Sequence, residues 1–136
     1  MNGSDRIPPS SDSATSRLYR NLGEGRFEDI TAASRLAHSG WGQAACVGDY
    51  DNDGWTDLCV TYYGKIVLYR NNGGRTLEDV SEKARIGGAG RWNAGCTFLD
   101  YDGDGYLDLF VANYIDYGDA VRYDPGSGPF MPPDDF

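Results

Sequence analysis

The stretch DYDNDGWTD, residues 49–57, sets four carboxylates within nine residues. Like charges that close repel, so the chain gains little from the crowding unless something neutralises it. The same spacing returns as DYDGDGYLD at 100–108, 51 residues later, with its glycine, its aromatic and its trailing Asp in register. Any reading of the first loop must therefore explain a repeat.

The repeat extends beyond the loops. RLYRNLGEGRFEDIT at 17–31 matches VLYRNNGGRTLEDVS at 67–81, and WGQAACVGDYDNDGWTDLCVTYY at 41–63 matches WNAGCTFLDYDGDGYLDLFVANY at 92–114. Self-similarity at a period near 50 indicates propeller blades or a solenoid. Within one period the pattern is strand-like. A small-residue, apolar run at 43–49 precedes the acidic loop, and DLCVTYY at 57–63 follows it. A turn at Gly64 leads into KIVLYR at 65–70, then NNGG at 71–74 and TLEDV at 76–80. Asn and Gly tolerate the positive φ that tight hairpins need, so NNGG reads as a turn. Four antiparallel strands in about 50 residues make one propeller blade.

The expected fold class is thus all-β, with four-stranded blades and two blade equivalents per chain. The phase is shifted. Residues 16–31 supply the third and fourth strands of one blade, 41–80 a complete blade, and 92–114 the first two strands of another. Stretches 32–40 and 82–91 read as crossings, each with a helical turn. Residues 1–15 read as a disordered leader without the apolar core of a signal peptide, and 115–136 as an irregular Pro-, Gly- and Asp-rich tail.

The composition narrows the function. The chain has 136 residues, enough for about one domain, and a net charge of −9, which argues against nucleic acid or an anionic membrane surface as partner. No apolar run approaches the roughly 20 residues needed to span a bilayer. Eight of the 21 acidic residues lie in the two loops. Carboxylates so concentrated favour a cation ligand.

Calcium takes six to eight oxygen ligands in a flexible cage. A chain with carboxylates at alternate positions and glycine at position six wraps around such an ion. In the first loop these are Asp49, Asp51 and Asp53, then Gly54, with the Trp55 carbonyl at position seven and Asp57 at nine. The second loop offers Asp100, Asp102, Asp104, Gly105, the Tyr106 carbonyl and Asp108. The EF-hand shares the first six positions but needs Glu at position twelve, where this chain has Val60 and Val111. The loops therefore read as two calcium-binding β-hairpin tips, with magnesium disfavoured by its stricter octahedral geometry.

Cys46, Cys59 and Cys96 are too few and too irregularly spaced for a disulfide framework or a zinc site. If Asp49 and Asp57 flank the hairpin loop, Cys46 falls opposite Val60, and Cys46 and Cys59 lie on opposite sheet faces. They read as small buried hydrophobes. The single histidine, His38, has no nucleophile pattern beside it, so the chain reads as non-catalytic. Tyr62, Tyr63, Tyr114, Tyr117 and Trp92 offer either packing between blades or stacking faces for a glycan.

The combination of LYRN, GDYDNDG and LDYDGDGYLDLFVANY resembles the FG-GAP/VCBS repeat family, and within it bacterial relatives of cartilage acidic protein. The resemblance covers about residues 16–130 and implies a β-propeller whose hairpin loops bind calcium, as in the integrin α-subunit head. It implies metal roles for Asp49, Asp51, Asp53, Asp57, Asp100, Asp102, Asp104 and Asp108. It further implies an extracellular or periplasmic scaffold that engages proteins or glycans. Two blades alone leave apolar faces in water. The expected remedy is a homo-oligomer in which the 92–114 hairpin of one chain completes the 16–31 hairpin of another, a six-bladed trimer fitting the family best.

Overall fold

A computed structural model describes residues 15–36, 38–87 and 91–116 of the protein. Among the described residues the chain is all-β, with eight strands in three antiparallel sheets. A two-stranded hairpin joins β1 (Tyr19–Gly23) and β2 (Arg26–Asp29). A four-stranded sheet follows in the order β3 (Gly42–Gly48), β4 (Asp57–Tyr62), β5 (Lys65–Asn72) and β6 (Thr76–Asp79). A second hairpin joins β7 (Arg91–Leu99) and β8 (Asp108–Asp116). Sheets of two, four and two strands thus follow one another in chain order. The leader through residue 14 and the tail from residue 117 lie outside the described residues. The first two residues expected in the tail belong to β8 instead.

Local chemistry places each turn. Glu24 and Gly25 both have positive φ (52° and 75°) in the two-residue turn between β1 and β2, as a tight hairpin requires. The NNGG stretch divides: Asn71 and Asn72 remain in β5, and Gly73 and Gly74 make the turn at φ 68° and 72°. Both crossings contain the expected helical turn, at 31–35 and 81–85, each ended by an arginine in the left-handed region, Arg35 and Arg85. The ED(I/V)(T/S) motif ties crossing to hairpin. Asp29 accepts the Thr31 N–H while Thr31 Oγ1 accepts that of Leu18. Asp79, Ser81 and Leu68 repeat the arrangement.

Period-two alternation gives the central sheet two apolar faces. Val60, Tyr62, Val67 and Tyr69 pack with Leu36 of the first crossing, and Leu18, just before β1, lies against them. Cys59 and Leu68 face the second hairpin, where Cys96, Phe98 and Leu109 pack. Asn93, 1% exposed, pins β7 by donating through Nδ2 to the carbonyls of Tyr62 (2.9 Å) and Lys65 (3.1 Å). Gly48 allows the sheets to approach: a Cβ there would lie 2.9 Å from Leu107 and 3.0 Å from Phe98.

The expected facing of Cys46 and Cys59 is overturned, while their reading as unpaired, packed side chains stands. Gly48 pairs with Asp57, so the loop holds eight unpaired residues, Asp49 through Thr56, and Cys46 lies directly opposite Cys59. Closing the hairpin one residue earlier than Asp49 reverses every side chain's face relative to the partner strand. Cys46 and Cys59 thus share a face, and Cys96 of β7 joins them with all three sulfurs within 4.8 Å of one another. All three are free thiols.

Candidate metal centre

Both acidic loops cap hairpins, and both are wound by their own backbone. In the first, Asp49 accepts the N–H groups of Asp53 (3.1 Å) and Gly54 (2.9 Å). Asp51 accepts from Asp53 (3.3 Å) and Asp53 from Trp55 (2.9 Å). The second loop repeats these contacts: Asp104 and Gly105 donate to Asp100, Asp104 to Asp102, and Tyr106 to Asp104. Residues with positive φ allow the winding, Asn52 (57°) and Gly54 (87°) in one, Gly103 (77°) and Gly105 (88°) in the other. Asp49 and Asp100 thus spend both oxygens on the turn, while Asp51, Asp53, Asp102 and Asp104 spend one each and keep the other free of it.

The winding gathers the carboxylates. Ligand oxygens of Asp49, Asp51 and Asp53 lie within 4.8 Å of one another, as do those of Asp100, Asp102 and Asp108. Asp57 and Asp104 fall outside these tightest groups. Asp57 is 0% exposed and accepts the N–H groups of Tyr50 (3.2 Å) and Asn71 (2.8 Å). Burial, ahead of these opposing hydrogen bonds, pushes its carboxyl above the ordinary aspartate value. Trp55 carries its ring onto the β5–β6 turn, where a Cβ on Gly74 would lie 3.0 Å from it.

Sequence reasoning missed Arg70. Its Nε lies 2.8 Å from Asp51 and its Nη2 3.0 Å from Asp53, so strand β5 offers the first loop a built-in cation. The signal for it was the recurrence of Tyr-Arg-Asn at 19–21 and 69–71. The loops also touch: Asn52 Nδ2 donates to the Gly105 carbonyl at 3.0 Å.

A family profile described as FG-GAP-like repeat matches residues 10–60 and again 49–111. The chain belongs to the FG-GAP-like repeat family. The overlap of the two matches lies on the first acidic loop, so that loop closes one FG-GAP-like unit and opens the next. No curated protein matches the chain.

The other sequence candidates fall outside these FG-GAP-like loops. His38 sits edge-on to Tyr62, ring centroids 4.9 Å apart, and burial, then nearby Lys65, lowers its pKa. Tyr62 is fully buried with its hydroxyl 2.8 Å from Ser16 Oγ, so it presents no stacking face. Trp92 packs among Trp41, Tyr63 and Tyr114 at centroid distances of 5.2, 6.0 and 6.2 Å. Tyr117 lies outside the described residues.

Proposed function

We propose that the chain is a calcium-binding repeat module of a β-propeller, acting as a non-catalytic scaffold that engages other proteins. The observation that carries this reading is the convergence of three carboxylates within 4.8 Å in each of two independently wound loops. The donors are oxygen only, which suits a hard cation and disfavours zinc or copper at these loops. Asp49, Asp51, Asp53 and Asp57 with the Trp55 carbonyl would hold one ion. Asp100, Asp102, Asp104 and Asp108 with the Tyr106 carbonyl would hold the other. The ion supplies positive charge that relieves the repulsion. The chain's part is to hold the carboxylates oriented through the N–H groups of positions five to seven. Isothermal calorimetry checks this reading: two sites per chain, one lost in Asp53→Ala and the other in Asp104→Ala. An unchanged count in both variants would refute the assignment.

A second feature bears on assembly. Arg20 and Asn21 on β1 are the sequence counterparts of Arg70 and Asn71, but no acidic loop lies beside them among the described residues. The 100–108 loop, conversely, has no counterpart of β5 beside it among the described residues. Beside β1 lies a groove of about 510 Å³, lined in part by Leu18, Leu36, Leu58 and Val60. We propose that a β7–β8 hairpin from a second copy pairs with β1 and completes a blade, in a closed ring of six blades from three chains. Light scattering on the full chain and on a form lacking residues 1–31 tests the ring. A monodisperse monomer with intact secondary structure in both would rule it out. From the family resemblance we propose a location outside the cytoplasm, in the periplasm or beyond, which fractionation of the source cells tests.

A further inference from the structure

The seam between the central sheet and the second hairpin carries a cluster that neither acidic loop uses. Cys46 and Cys59 are cross-strand partners on β3 and β4, and Cys96 meets them from β7. The three sulfurs lie within 4.8 Å of one another, and among the described residues no His, Asp or Glu joins the group. Leu68, Val80, Ile66, Phe98 and Leu109 surround them. Cys59 is buried, while Cys46 and Cys96 keep partial exposure, which leaves an ion a way in.

We propose that Cys46, Cys59 and Cys96 form an all-sulfur site for a soft monovalent cation of the copper(I) class. Thiolate donors select copper(I), zinc or iron–sulfur clusters. A structural zinc site closes with four ligands, and a three-ligand zinc site keeps a water in the fourth position. Among the described residues no His, Asp or Glu stands with the three sulfurs as a fourth ligand, and the cluster packed around them is mostly aliphatic and aromatic. Iron–sulfur clusters require four cysteines, or two histidines in place of two of them. Copper(I) is satisfied by three sulfurs and needs no water.

The binding step is ligand exchange without electron transfer. Sulfur–metal bonds replace S–H bonds, and the protons pass to solvent. The ligands come from two sheets, so the ion would clamp β7 to the central sheet. The chain then sorts cations by hardness, with oxygen at the hairpin tips and sulfur in the seam.

The experiment titrates the reduced full chain with copper(I), delivered anaerobically as its acetonitrile complex, against a chromogenic copper(I) chelator. Zinc is titrated in parallel. The expected result is one copper(I) per chain, with an ultraviolet thiolate-to-metal charge-transfer band and protection of all three thiols from maleimide in the wild-type protein. Cys96→Ser and Cys46→Ser should each weaken binding by at least about tenfold, the lower end of the loss seen even for outer-shell partners of a metal. Calcium uptake by each variant reports that it is folded, and the maleimide protection needs no variant. No uptake, uptake indifferent to Cys96→Ser with the thiols still labelled, or zinc held more tightly than copper(I) would each overturn the assignment.

Discussion

The two acidic loops share a sequence pattern and a backbone winding, yet they sit in different surroundings. The 49–57 loop belongs to a complete sheet. Strand β5 runs beside it and supplies the Asn71 N–H to Asp57, the Asn71 side chain to the Thr56 carbonyl, and Arg70 to Asp51 and Asp53. Among the described residues the 100–108 loop belongs to a two-stranded hairpin. Its Asp108 accepts the Tyr101 N–H at 2.9 Å and is exposed where Asp57 is buried. The winding is thus a property of nine residues, whereas the burial and charge balance of the first site come from strand β5 beside it.

The largest expected difference follows from that burial. Asp57→Ala leaves two backbone donors without a partner in the interior, each worth about 1–3 kcal/mol. Asp108→Ala disturbs an exposed contact and should change the stability of the metal-free protein by less than about 1 kcal/mol. Urea unfolding of both variants with chelator present checks the contrast. Equal losses would mean that β5 contributes nothing to the loop.

Gly48→Ala should come next, at about 1–3 kcal/mol, because the added methyl drives into Phe98 and Leu107. The damage should concentrate on the β7–β8 hairpin, read as faster amide exchange in β7 than in β5. Uniform exchange would show that the seam can yield.

Acid should remove the calcium effect. Burial raises the Asp57 carboxyl, so ionising it is harder in the metal-free fold than in the unfolded chain. Its own contribution to stability is therefore present at low pH and lost as pH rises through its folded-state value. Calcium acts in the opposite sense, since its ligands must be ionised and protons compete for them. The increment in Tm on adding calcium should shrink from pH 7 to pH 4. An equal increment at both would contradict carboxylate ligation.

The smallest effect concerns Arg70. Its guanidinium pairs with Asp51 and Asp53 and competes with a cation there. Arg70→Gln should tighten calcium at the first loop by about two- to fivefold, the range of a partly exposed ion pair, and leave the second loop unchanged. Tightening at both loops would point to net charge alone.

What was legible in the sequence was local. The Gly64 turn, the helical turns of the crossings and the alternation of the acidic residues are each fixed by neighbours within about ten positions, and the period by direct matching of the two copies. The hairpin register was not legible. Seven or eight unpaired residues suit the same acidic pattern, and only the choice of Gly48 rather than Asp49 as the partner of Asp57 brings Cys46 across from Cys59. Arg70, Asn93 and Cys96 act across strands or sheets. Their partners lie from 17 residues away, for Arg70 and Asp53, to 50, for Cys96 and Cys46, beyond the reach of strand alternation.

Calcium binding by the paired loops is tested most directly by melting the chelated wild-type protein with and without calcium, alongside the Asp53→Ala/Asp104→Ala double variant. At a hundred times the dissociation constant, each filled site adds about 2.7 kcal/mol. The wild type should therefore gain several degrees in Tm and the double variant none. A wild-type melt that is the same in calcium and in chelator would contradict the reading of these loops as metal centres.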